Sequence, residues 1–139
     1  MSTRLVTFTL EGRSYGIDVT AVQEVLRGLP RTRIPLAPSA LAGLINLRGQ
    51  VLTAIDLREQ LGLPPRPSDQ DPMLVVIRVA GEPVALLVDS IGSVVDVGSE
   101  QFEPPPDTLN GPTRELIRGA YKLTDRLLLS LDVDRAIAA

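Results

Sequence analysis

The chain predicts a mostly β protein, and three observations carry that expectation. Twelve prolines and eleven glycines separate short runs of Val, Ile and Leu, a spacing that suits brief strands and tight turns rather than helices. Only 3% of the residues are aromatic, so branched aliphatics must fill the core. The third observation is an internal repeat. Leu10–Val25 lies on Val79–Val94 without a gap, matching Tyr15 with Val84, Ile17 with Leu86 and Val22 with Ile91. Gly43–Leu61 lies on Gly119–Ile137, matching Leu52 with Leu128 and Asp56 with Asp132. The offsets are 69 and 76 residues, so 139 residues, one domain's worth, hold two copies of a small β unit.

Taken in order, Thr3–Leu10 reads as a first strand, Glu11-Gly12-Arg13 as a hairpin turn and Ser14–Val19 as the returning strand. Asp18 and Thr20 are placed to cap the bent segment that follows. Val22–Leu26 is apolar at 22, 25 and 26, the mark of a strand entering on a bulge. Arg31–Pro38 reads as extended edge structure, because each proline removes a ladder donor, and Ser39–Ala42 as a single turn. Leu63–Pro72, rich in Pro, Ser, Asp and Gln, is expected to be an exposed, mobile linker. Met73–Val79 and Pro83–Val88 flank Ala80-Gly81-Glu82 as a second hairpin. Asp89–Gly92 is expected to turn into a strand at Ser93–Val97. Glu103–Pro106 is extended, Asp107–Thr113 a loop, and Leu116–Leu123 with Arg126–Leu131 the last hairpin. Asp132 caps a terminal helix, Val133–Ala138.

The stretch Gly43–Arg58 is the centre of the chain. Two strand-like runs, Leu44–Leu47 and Val51–Ile55, flank a polar kink of Asn46, Arg48 and Gly49, where Asn and Gly tolerate positive φ. Arg48 then becomes a fixed guanidinium fork suited to gripping carboxylates or carbonyls. Asp56 reads as the N-cap of a short helix closed by Gly62. The repeat separates these roles. Asp56 recurs as Asp132, as a structural cap should, whereas Asn46-Leu47-Arg48-Gly49 becomes Lys122-Leu123-Thr124-Asp125. Asn46 and Arg48 are therefore candidates for recognition rather than folding.

Composition excludes much else. The chain has no cysteine, so no disulfide framework and no thiolate metal site. It has no histidine, the commonest general base and metal ligand. A net charge of -3 and scarce aromatics argue against nucleic acid. No apolar run approaches the roughly 20 residues of a membrane span, and the N-terminus lacks a signal peptide's apolar core, so a cytoplasmic protein is expected. Catalysis is left one route, through paired carboxylates among Asp56, Asp89 and Glu24.

Phe-x-Leu-x-Gly-x-x-Tyr-Gly-Ile-Asp at 8–18, Val-Gln-Glu-Val at 22–25, Gly-Leu-Ile-Asn-Leu-Arg-Gly at 43–49, Ala-Ile-Asp-Leu-Arg at 54–58 and Leu-Leu-Val-Asp at 86–89 stand in that order. Together they resemble the CheW family of chemotaxis coupling proteins, from about residue 4 to residue 137. The resemblance implies two small SH3-like five-stranded β-barrels in one domain over 1–139. Their approximate extents are 10–75 and 76–132, with strand 3–10 completing the second and 132–138 a terminal helix. It implies a non-catalytic adaptor, without cofactor, joining the cytoplasmic tips of chemoreceptors to the regulatory domain of the histidine kinase CheA. Receptor recognition maps onto Val22, Glu24, Gly43, Asn46, Arg48 and Val88, with Glu24 and Arg48 matching a family pair of opposite charge. No receiver-like segment follows residue 138, so the form without a fused receiver is expected. Related adaptors serve pili, gliding or gene regulation, and the sequence does not choose among these pathways.

Overall fold

Wherever apolar and polar residues alternate about an X-Gly pair, the chain turns back on itself. The computed structural model describes residues 2–27, 41–67 and 69–137. The strands are β1 Ser2–Leu10, β2 Arg13–Asp18, β3 Val22–Arg27, β4 Leu41–Leu47, β5 Gln50–Asp56, β6 Met73–Val79, β7 Glu82–Val88, β8 Ser90–Gly98, β9 Phe102–Glu103, β10 Ile117–Lys122 and β11 Leu127–Leu131. The helices are short: α1 Leu57–Gln60, α2 Gly111–Leu116 and α3 Val133–Ile137. Glu11-Gly12, Arg48-Gly49 and Ala80-Gly81 are two-residue turns with φ of 51–53° at the first residue and 78–86° at the glycine. That is the hairpin geometry whose twist matches the flanking strands.

Two sheets result, in the orders β8-β1-β2-β11-β10-β9 and β3-β6-β7-β5-β4. They are the same arrangement twice. Val6 pairs with Val94 and the repeat-related Val75 with Val25; Tyr15 pairs with Leu129 and Val84 with Thr53. Even the irregularities recur. The register shift at Val6/Phe8 in β1 and β8 reappears at Val22/Glu24 in β3 and β6, and that at Ile117/Gly119 reappears at Leu41/Gly43. The mostly β class and the duplication are thus both present in the fold.

The halves expected at 10–75 and 76–132 are not the sheets that form. One sheet takes 2–18 with 90–131, the other 22–27 and 41–56 with 73–88, so each copy gives its whole first hairpin to the other. Glu11-Gly12 explains why β1 cannot cross alone: a two-residue turn ties β2 to its flank, Leu10 opposite Arg13. Neither sheet closes by a ladder between its edge strands among the described residues. In the first sheet the 3-10 turn Ser99–Gln101 carries the chain directly from one edge, β8, to the other, β9.

The exchanged hairpins meet in a shared core, Phe8, Leu10, Tyr15 and Ile17 from one and Val75, Ile77, Leu86 and Val88 from the other. Phe8 and Tyr15 stack there, ring centroids 5.8 Å apart and 11° from parallel. Each sheet also has a private cluster on its other face: Ile45, Leu52, Leu74 and Leu87 in one, Leu5, Val97 and Leu128 in the other.

Other expectations change locally. The turn at 89–92 is absent: β7 passes into β8 through Asp89 alone, and side-chain-free Gly92 lets Thr7 Oγ1 reach Ser93 O at 2.6 Å. The loop 107–113 gives way to α2, with Pro112 in its first turn and Thr113 Oγ1 donating to Leu61 O at 2.8 Å. Leu41 and Ala42 belong to β4 rather than to a turn. The expected edge segment 31–38 and residues 39–40 lie outside the described residues, as does residue 138 at the end of α3.

At Gly119 an added Cβ would stand 2.3 Å from Phe102 Cζ and 2.5 Å from Glu103 O. The oxygen belongs to β9, whose Glu103 pairs with Ala120, so it cannot retreat without loosening that pairing. Gly119→Ala should cost about 1–3 kcal/mol in chemical denaturation. An unchanged midpoint would contradict the packing described.

Candidate functional site

The candidate recognition residues distribute along one sheet. Arg48 occupies the β4–β5 turn with φ 51°, a left-handed conformation that costs a non-glycine residue roughly 1–2 kcal/mol. Glu11 and Ala80 adopt the same φ in their turns, so this is hairpin geometry and not strain peculiar to a site. Asn46, expected to supply the positive φ, instead stays in β4 and accepts a hydrogen bond from Gly49 N through Oδ1 at 3.0 Å. Its side chain sets the turn that presents Arg48.

From that turn Arg48 Nη2 donates to Glu24 Oε2 on β3. β3 and β4 are the two edges of their sheet, so this ion pair spans the seam where the sheet curls on itself. The Arg48 side chain is 66% exposed and that of Glu24 23%. The hydrogen bond from Arg48 holds the Glu24 carboxyl below the ordinary carboxylate range. Exposed pairs add little to stability, so the pair is better suited to presenting charge than to holding the fold.

The remaining candidates differ in access. Val22 opens β3 and packs, half-buried, against the shared core. Gly43 sits in the β4 bulge with φ 136°, open only to glycine, which gives it a backbone role. Val88 is corrected: at 0% exposure in the shared core it cannot touch a partner in this conformation.

Sequence reasoning missed a second charged cluster. Arg58 Nε donates to Asp89 Oδ1 at 2.9 Å and Oδ2 at 3.1 Å, with Nη2 also on Oδ2. Arg66 Nε reaches Oδ1 at 2.9 Å, and Glu11 N donates to Oδ2 at 2.8 Å. The three charged side chains are only 7–8% exposed. Burial pushes the Asp89 carboxyl up; the bonds from Arg58, Glu11 N and Arg66 outweigh it, and the carboxyl stays below its usual value. Arg58 Nη1 further donates to Pro64 O at 3.1 Å. The linker expected to be mobile at 63–72 is therefore pinned over the sheet junction along Leu63–Arg66. No local signal in the sequence pairs them, because Asp89 lies 31 residues from Arg58 and 23 from Arg66.

Chemically, the carboxylates are committed. Asp56 caps α1 through Oδ1 to Arg58 N at 3.0 Å and lies 3.6 Å from Arg66 Nη2; Asp89 is taken by Arg58 and Arg66, and Glu24 by Arg48. None of the three lines either of two clefts, of about 510 and 520 Å³, among the described residues. At the other end Asp132 Oδ1 accepts from Arg135 N at 3.2 Å, beginning α3.

Known proteins place this arrangement. The family described as CheW-like domain matches residues 4–139. The chain belongs to the CheW family. Chemotaxis protein CheW of Klebsiella aerogenes is 31% identical over 133 residues, 95% of this chain and 80% of that protein. Chemotaxis protein CheW of Bacillus subtilis is 29% identical, over 96% of this chain and 86% of that protein. The crystal structure of the scaffolding protein TtCheW from Thermoanaerobacter tengcongensis superposes with a TM-score of 0.84 at 29% identity, covering 94% of this chain and 89% of that one. Among the described residues of this CheW-family chain, no helix is long and apolar enough to cross a membrane.

In this CheW-family fold the buried charges are where a mutation should hurt. Arg58→Ala leaves the buried Asp89 carboxylate only Arg66 and Glu11 N and should cost about 1–3 kcal/mol by denaturation. Because the folded carboxyl titrates below its unfolded value of about 3.9, its stabilisation is complete at neutral pH and is lost as pH falls through and below that value. Asp89→Asn should flatten this acid limb. An acid limb as steep as that of the unaltered chain would show that Asp89 does not carry it.

Proposed function

We propose that this chain is a non-catalytic adaptor that couples transmembrane chemoreceptors to a CheA-type histidine kinase in a chemosensory array. The observation carrying the reading is the exposed Arg48 fork, fixed on a two-residue turn and balanced by Glu24 at the seam of one sheet. A receptor tip is a helical hairpin, and an adaptor meets such a partner with an apolar groove and a few polar anchors at its rim. Arg48, Glu24 and Asn46 are those anchors, Val22 and Gly43 shape the strands beside them, and Val88 supports the surface from the core. The kinase partner is its regulatory domain, which resembles this fold. One domain over 1–139 acts in the cytoplasm and is recruited to membrane-bound arrays, where many weak contacts add. Swimming chemotaxis is the leading pathway, with pili, gliding or gene-regulatory systems as the alternatives.

Arg48→Glu should leave the denaturation midpoint nearly unchanged while weakening capture of receptor-tip fragments by about tenfold or more, because a like charge then faces Glu24 and the fork is gone. Undiminished capture would remove the site assignment. Separately, a CheA regulatory domain should bind with a dissociation constant of about 1 μM or tighter in calorimetry. A flat titration with no amide shifts in NMR would count against the kinase partner.

A further inference from the structure

The sequence contains two asparagines, Asn46 and Asn110, and the fold treats them oppositely. Asn46 lies within β4, its Oδ1 accepts from Gly49 N at 3.0 Å, and the bulky Leu47 follows it. Asn110 is exposed, stands just before α2, and makes no hydrogen bond to the helix through its carboxamide. Its successor is Gly111, with φ 59°, a conformation that favours glycine, so the entry into α2 itself dictates an Asn-Gly pair. Around Gly111 the space is open: nothing lies within 4 Å of where a Cβ would stand. Its N–H opens the helix, where no intrahelical acceptor exists for it.

This places a free carboxamide beside an unshielded backbone nitrogen. We propose that Asn110 is a deamidation site, through which the folded chain slowly gains a carboxylate and, in one product, an extra backbone methylene. The Gly111 nitrogen, having lost its proton to base, attacks Asn110 Cγ. A new C–N bond closes a five-membered succinimide, the bond from Cγ to Nδ2 breaks, and ammonia leaves with a proton taken from water. Water then opens the ring at either carbonyl, giving aspartate or isoaspartate. The sum exchanges ammonia for water and needs no oxidant, reductant or enzyme.

The consequence falls on the contact between α1 and α2. Pro112 lies across Gly62, its Cγ 3.5 Å from where a Cβ there would stand, and Thr113 Oγ1 donates to Leu61 O at 2.8 Å. A methylene inserted just upstream shifts both anchors, and the new carboxylate adds one negative charge to the net -3. The inference is independent of the receptor and kinase reading.

The folded full chain, kept warm at mildly alkaline pH, tests it by peptide mass spectrometry and isoaspartyl methyltransferase labelling. Isoaspartate should accumulate in the tryptic peptide 79–114. Deamidation in the peptide carrying Asn46 should be at least about tenfold slower, since a hydrogen bond must break and a strand must open first. The rate at Asn110 should climb with pH, because the attacking nitrogen must lose a proton. Asn110→Ser, which keeps a residue type suited to starting a helix, should abolish the isoaspartate. The isoaspartate form, separated by ion exchange, should show a lowered denaturation midpoint and amide shifts at Leu61 and Thr113. Absence of isoaspartate from the folded chain, its appearance only after unfolding in urea, an equal rate at Asn46, or its persistence in Asn110→Ser would each overturn the proposal.

Discussion

Asp89 is the one residue between β7 of one sheet and β8 of the other, and its carboxylate collects Arg58, Arg66 and the turn at Glu11. These partners come from α1, from the linker after it and from the hairpin of the opposite sheet. A buried aspartate needs such company, since desolvation of an unpaired carboxylate costs several kcal/mol. Once the company is assembled, the two sheets, the short helix and the linker are fixed relative to one another. The second crossing between sheets, through the 3-10 turn at Val19–Ala21, has no comparable knot: Asp18 only caps it. Among the described residues the duplicated frame is therefore held by buried charge at one crossing and by packing with a single cap at the other.

This arrangement explains how a small chain can serve as a rigid connector. Exchange of the first hairpins puts eight apolar strand positions, four from each copy, into one core that neither half could build alone. With the core and the junction carrying stability, the exposed turns are free to vary. The β4–β5 turn is a tight two-residue turn bearing Arg48, while its counterpart is a wider turn closed by Leu123 N to Arg126 O at 2.9 Å.

Much of this was legible in the sequence. The hairpin turns at Glu11-Gly12 and Ala80-Gly81, the caps at Asp18 and Asp56, the bulge at Val22 and the repeat itself follow from local rules about turns, caps and alternation. The exchange of hairpins was not, because the pairing of Tyr15 with Leu129 or of Val84 with Thr53 is decided across more than 30 residues by which sheet each hairpin can cover. The linker 63–72 misled for a related reason: its composition is that of a solvated loop, and only the three-dimensional position of Asp89 buries Arg66. The repeat-break argument also needs a qualification drawn from this cluster. Arg58 and Asp89 are as unrepeated as Arg48, yet they are buried and structural; exposure, not divergence alone, separates a recognition residue from a frame residue.

The proposed function requires a rigid body that holds two different proteins at once on separate surfaces. Sedimentation velocity on a mixture of this chain, a receptor-tip fragment and a CheA regulatory domain tests that most directly. The account predicts one faster boundary containing all three components, beyond either pairwise complex. Displacement of one partner by the other, or a chain that sediments unchanged beside both, would contradict it.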